Sequence, residues 1–96
     1  MKVRVKDIVS LLEKHYPLNL AEEWDNVGLQ VGSMGREVAK VAVALELEHQ
    51  VLDKAWQENV DLIITHHPLI FKAIKSIQLD TPVGSMIRKL IMADIS

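Results

Sequence analysis

Residues 38–65 hold the arrangement that most narrows what this chain can fold into. Val38 to Leu47 (VAKVAVALEL) is a run of β-branched and aliphatic residues with almost no interruption, and Leu62-Ile63-Ile64 repeats that character further on. Apolar runs without polar alternation predict strands buried on both faces, as in a parallel sheet. Between them, over residues 48–59, Val51, Leu52, Ala55 and Trp56 recur at helical spacing, with Asp53, Lys54, Gln57 and Glu58 outside. Strand, amphipathic helix, strand is a βαβ unit, whose crossover is expected to be right-handed. The predicted class is therefore α/β: a mostly parallel sheet with flanking helices in βαβ order.

Two further helices frame that unit. Val5, Ile8, Val9, Leu12 and Tyr16 share one helical face, Lys6, Ser10, Glu13 and Lys14 take the other, and Pro17 closes the segment. Leu18 to Glu23 reads as a connector with a short helical turn. Asn26-Val27-Gly28-Leu29-Gln30-Val31-Gly32 reads as a short strand entered through an Asn-rich turn. Thr81 is an N-cap candidate with Pro82 at the favoured first position of a third helix. Val83, Met86, Ile87, Leu90 and Ile91 form its apolar face, while Arg88 and Lys89 lie outward in its C-terminal half, where the dipole favours cations. The helix is expected to finish near Ala93-Asp94. Alternating α/β order then calls for a strand at Ile95-Ser96. Val-Gly-Ser-Met occurs at 31–34 and 83–86, once at a strand end and once inside a helix, so it is a coincidence and not a repeat.

Composition sets the outer limits. The 96 residues, 49% hydrophobic and 25% charged, suit one small globular domain and exclude disorder. No apolar run approaches the ~18 residues of a spanning helix. Eleven Lys and Arg against 13 Asp and Glu, a net charge of −2, leave no basic footprint for nucleic acid or an anionic membrane. The absence of cysteine excludes disulfides, thiolate metal ligands and a cysteine nucleophile. The basic start Met1-Lys2-Val3-Arg4-Val5-Lys6 has no uninterrupted apolar core behind it, so no signal peptide is expected and the expected location is cytoplasmic. With aromatics at only 4%, the core must be aliphatic, and Val/Ile/Leu strands supply it.

Chemistry concentrates at His66-His67-Pro68, directly after the buried strand Asp61–Thr65. Open α/β sheets bind ligands beyond the carboxyl ends of their strands, and neutral imidazole is a ligand for zinc and other transition ions. On a regular strand two adjacent histidines face opposite ways and chelate poorly. At a strand end the backbone leaves the pleat, a departure Pro68 fixes. Each histidine is then able to hold one ion of a pair ~3.5–4 Å apart. The same two residues also serve as polar caps of a strand end, and two ligands fall short of the three or four that zinc sites use. Trp24, Asp25 and Asn26 are candidates for a pocket wall, although Asp-Asn is equally turn chemistry. Glu46 and Glu48 straddle the end of the 38–47 strand, where Glu46 either faces the histidine edge or is simply solvated. His15, at the end of the first helix where the dipole favours it, reads as a cap and not a ligand, and His49, at the start of the 48–59 helix, reads as a surface residue. Gly28, Gly32 and Gly35 match no phosphate-loop spacing, and Ser10, Ser33, Ser76 and Ser85 lie in no nucleophile elbow. The residues alone reach a possible histidine-based metal site and name no reaction.

Two stretches resemble a known family. Leu20-Ala21-Glu22-Glu23-Trp24-Asp25-Asn26-Val27-Gly28-Leu29-Gln30-Val31-Gly32 resembles the N-terminal signature of the NIF-three-like family, the GTP cyclohydrolase 1 type 2 homologues. Asp61-Leu62-Ile63-Ile64-Thr65-His66-His67-Pro68-Leu69-Ile70-Phe71, continued by Ile74-Lys75-Ser76-Ile77, resembles its second hallmark. The resemblance covers essentially the whole chain. It implies the N-terminal part of a NIF-three-like fold, with residues 1–96 an incomplete portion of a longer α/β domain. It also implies a dinuclear site for two divalent ions (zinc, manganese or iron-like) in which His66 and His67 each ligate one. The family completes that site with an aspartate just beyond the residues matching this C-terminus, then a histidine and a glutamate near the far end. It implies self-association into a toroidal homohexamer and a hydrolase acting on a nucleotide-like ligand: by the name-giving activity, water would open the imidazole ring of a guanine nucleotide with release of formate. Ala44-Leu45-Glu46-Leu47-Glu48 departs from the family's Ala-Leu-Asp-x-Thr, with a longer acid at 46 and an acid in place of a hydroxyl at 48. A non-enzymatic interaction or regulatory module is the alternative expectation, one in which a surface patch carries the function.

Overall fold

The computed structural model describes residues 2–15 and 26–96. Helix α1 (Val5–His15) opens the chain, followed by strand β1 (Val41–Ala44), helix α2 (His49–Gln57), strand β2 (Leu62–Thr65) and helix α3 (Pro82–Ala93). The expected connector over Leu18–Glu23, and Tyr16 and Pro17 at the end of the first apolar face, lie outside the described residues.

β1 and β2 pair in parallel, with Val41 opposite Leu62 and Ala44 opposite Thr65, so α2 is the crossover of the expected βαβ unit. Leu52 and Ala55 on α2, Leu90 on α3, and Val60 and Ile95 from the connections form the buried core. Ala42 and Ile63, paired in register, pack against that cluster. The helices thus cover one face of the sheet.

The β1 strand is shorter than the apolar run 38–47, and it is not buried on both faces. Val41 and Val43 are exposed, Val43 at 78%, while Ala42 and Ala44 are half-buried. The apolar run records a strand able to be covered twice, but among the described residues α2 and α3 cover only one side. Ile91, expected on the apolar face of α3, is likewise exposed, as is Trp56 on α2, because Leu90 and Leu52 already occupy the helix–sheet contact.

Residues 26–32 do not form the expected strand. Gly28 and Gly32 both sit at φ 120°, a conformation that leaves the β region. The Gln30 side-chain amide donates to the carbonyls of Asn26 and Gly28, folding the segment onto itself. At Gly32 a Cβ would also collide with Ser96, which makes glycine the residue this close approach requires. Apolar alternation was present here, but local turn geometry overrode it.

The end of α3 behaves as expected. Thr81 Oγ1 accepts from the Gly84 N–H, and Pro82 follows at the first turn. Asp94 closes the helix in the left-handed region, with Asp94 N–H on Ile91 O and Ile95 N–H on Leu90 O, the paired bonds of a Schellman cap. Ser96 then donates to Asp61 O at 3.0 Å and accepts from Ile63 N–H at 2.8 Å. That pair of bonds is the parallel-ladder pattern, on the edge of β2 away from β1.

Among the described residues no helix is long and apolar enough to cross a membrane.

Candidate functional site

The pleat of β2 breaks at its carboxyl end, and the break builds the site. Leu62 N–H points to β1 (Lys40 O) and Ile63 N–H to the opposite edge (Ser96 O), the alternation of a regular strand. His66 N–H returns to β1 on Ala44 O at 3.2 Å. His67 N–H, due at the far edge, instead turns to Leu45 O at 2.9 Å. Two successive amides facing one side mark the departure that the sequence ascribes to Pro68. Thr65 Oγ1 donates to His67 O at 2.7 Å and closes the turn.

The consequence is that adjacent histidines line one cleft and do not flank the sheet. Their ring centroids lie 4.9 Å apart, edge-on at 67°. The cleft has a volume of about 770 Å³ and includes Glu46 at the tip beyond β1 and Asn26 in the 26–31 loop. Its far wall is apolar, formed by Ile8, Val9 and Leu12 of α1. Glu13 and Glu46 are the only acidic residues among the described lining residues, which include no lysine or arginine.

Of the residues singled out in the sequence, His66, His67, Glu46 and Asn26 therefore share one cleft. Trp24 and Asp25 lie outside the described residues. Glu48 caps α2 through its backbone position alone, with no side-chain bond. His15 and His49 are exposed at helix ends, His49 Nδ1 standing 3.5 Å from Lys89 Nζ.

Two imidazoles are the right kind of donor for a transition ion. In number they are two: among the described residues no group of three or more His, Cys, Asp or Glu side chains converges on one point.

Asn26 holds the cleft together. Its Nδ2 donates to Ile70 O at 2.6 Å and to Gln30 Oε1 at 3.0 Å, and Gln30 Oε1 also accepts from Ile70 N–H at 3.2 Å. Gln30, Thr65 and Glu13 escaped the reading from sequence. Gln30 sits in a loop without periodicity, and its partner at Ile70, like that of Thr65 at His67, is chosen only by the folded chain, as is the cleft that Glu13 borders.

At the other end of the sheet Arg36 bonds Asp61 Oδ1 at 2.8 Å and Asp94 O at 3.0 Å. Asp61 Oδ2 accepts from the amides of Ala39 at 2.8 Å and Lys40 at 3.0 Å. The Ala39 amide first, then the Lys40 amide and the Arg36 guanidinium, hold the Asp61 carboxyl below the usual carboxylate range, against the opposing effect of its partial burial. This cluster joins the entry ends of both strands to the end of α3, away from the histidines.

Residues 3–96 match the family model described as Duf34/NIF3 (NGG1p interacting factor 3). A Clostridium acetobutylicum protein named GTP cyclohydrolase 1 type 2 homolog is 40% identical over the whole chain, which covers 36% of that relative. A Staphylococcus aureus protein of the same name is 42% identical over 98% of the chain, which covers 25% of it. The chain thus spans about a third or less of these curated relatives. Among solved structures, a Staphylococcus aureus hypothetical protein superposes with TM-score 0.92 at 41% identity, over 99% of this chain and 31% of that one. A Bacillus cereus protein related to NIF3 superposes with TM-score 0.90 at 41% identity, over 99% of this chain and 26% of that one.

Proposed function

The chain belongs to the Duf34/NIF3 family, and from that premise we propose that His66 and His67 are its contribution to a two-metal centre in a metal-dependent hydrolase acting on a nucleotide-like substrate. One observation carries this reading: the β2 turn brings both imidazoles to the same cleft, 4.9 Å apart, where a regular strand would have separated them. Sequence identity of 40% and 42% to proteins named GTP cyclohydrolase 1 type 2 homolog supports the substrate class.

When bound, divalent ions such as zinc, manganese or iron lower the pKa of water toward about 7, so that a nucleophile exists at neutral pH. The chain's own residues do the rest. His66 and His67 would hold one ion each, their backbone amides fixed on the Ala44 and Leu45 carbonyls. The Glu46 carboxylate lines the same cleft and would be its acceptor for a proton. Ile8, Val9 and Leu12 offer an apolar wall against which a flat ring would pack. The described lining residues include no lysine or arginine, so bound ions would supply the positive charge for a phosphate-bearing substrate.

Calorimetric titration of zinc into the 96-residue chain and into the His66→Ala, His67→Ala double variant tests the reading. Binding by the parent chain and a loss of at least tenfold in the variant are expected. Equal binding by both removes the histidines from the site.

A second reading, a non-enzymatic interaction module, draws on the exposed apolar residues Phe71, Ile74, Ile77 and Leu79 in the irregular segment before α3. It expects the histidine variant to retain activity in cells while charged substitutions in that segment abolish it.

A further inference from the structure

The histidine turn is gripped from two sides. On one side the end of β1 takes the His66 amide through Ala44 O, and the next residue takes the His67 amide through Leu45 O. On the other, two side-chain amides take both backbone groups of Ile70: Asn26 Nδ2 donates to its carbonyl and Gln30 Oε1 accepts from its N–H. Together they imitate a neighbouring strand for a residue that has none. Ile70 lies three residues after His67, with Pro68 between them, so its placement sets the exit of the turn.

Gln30 has nothing left to offer a ligand. Its Nε2 donates to Asn26 O and Gly28 O, and its Oε1 accepts from Asn26 and Ile70, which uses both donors and both lone pairs. A fully committed amide at the rim of a cleft has a mechanical role and not a recognition role.

We propose that Asn26 and Gln30 are positioning residues for the histidine pair: they clamp Ile70 and thereby hold the His66 and His67 rings in the mutual geometry that two metal ions need. The inference rests on the metal-centre reading for its consequence, but the clamp itself is visible without metal.

The experiment has a metal-free and a metal-loaded arm on the 96-residue chain. Gln30→Met keeps length and removes every hydrogen bond of the side chain; Asn26→Ala is the milder second variant. Leu52→Ala, a core substitution away from the cleft, controls for lost stability. In metal-free protein, nuclear magnetic resonance is expected to show a cross-peak between the His66 and His67 rings and slow exchange of the Ile70 amide. Both features are expected to be lost in Gln30→Met and Asn26→Ala and retained in Leu52→Ala. In the loaded arm, Co²⁺ affinity is expected to fall about tenfold or more in the clamp variants, with a changed visible spectrum, as when outer partners of metal ligands are removed. Retention of the ring contact and Ile70 protection in both clamp variants overturns the proposal, as does equal loss in Leu52→Ala. If the clamp arm behaves as expected but the parent chain binds no Co²⁺, the metal-centre reading fails while the clamp stands.

Discussion

Asp61 shows how one side chain serves a structure at a distance from its chemistry. Its carboxylate receives two backbone amides and a guanidinium at the entry of both strands. Because its folded pKa is depressed, it contributes stability that is present above the unfolded carboxylate value near 3.9 and lost as pH falls through the lower folded value. Asp61→Asn is expected to cost roughly 1.5–3 kcal/mol at neutral pH, the scale of hydrogen bonds to a charged group. The same variant should show a shallower loss of stability below about pH 4; urea midpoints measured from pH 7 down to pH 3 check both. From sequence, Asp61 was the first residue of a buried strand and of the second family stretch, with no partner assigned to it. Its partners come from Arg36 and Ala39, and only the parallel pairing of β1 with β2 brings those to it. His66 and His67 were legible as residue types after a buried strand. Their shared cleft was not, because it depends on where one amide of His67 points.

At the scale of elements, the helices were legible and the strand limits were not. α3 begins at Thr81-Pro82 and ends at Asp94 because its caps are local chemistry, written in consecutive residues. β1 retains only four residues of a ten-residue apolar run, since strand length is set by the partner's length and not by the run. The loop 26–32 had the composition of a strand, yet two glycines at positive φ and the Gln30 amide turned it aside. α3 also depends on a close approach that no pattern announces: Gly84 is buried, and a Cβ there would run into the backbone carbonyl of Gln78. Gly84→Ala, normally favourable in a helix interior, is therefore expected to destabilise by about 1–3 kcal/mol as the 78–81 turn is pushed away. Thermal unfolding followed by circular dichroism measures the sign, and a stabilised variant would contradict the contact.

For the whole molecule, the open surfaces matter most. Among the described residues β1 pairs only with β2, leaving one edge free beside the exposed Val41, Val43 and Leu45. A free apolar edge is a template for pairing with another chain, so the 96-residue chain is expected to self-associate. Light scattering should give a mass that rises with concentration, and Val43→Lys should lower it; a strictly monomeric species at high concentration speaks against this. The apolar face of α1 stands across the cleft from the sheet without closing on it, so the wall that periodicity marked as core here borders a cavity. Sequence by itself determined the α/β class, the βαβ order, the caps of α3 and the residue types at the strand end, because each follows from periodicity or from bonds between near neighbours. Tertiary structure alone decided which faces are covered, that residues 26–32 form a clamp and not a strand, and that two adjacent histidines share a cleft. Those outcomes hang on hydrogen bonds between segments far apart in the chain, whose partners exist only once the chain has folded.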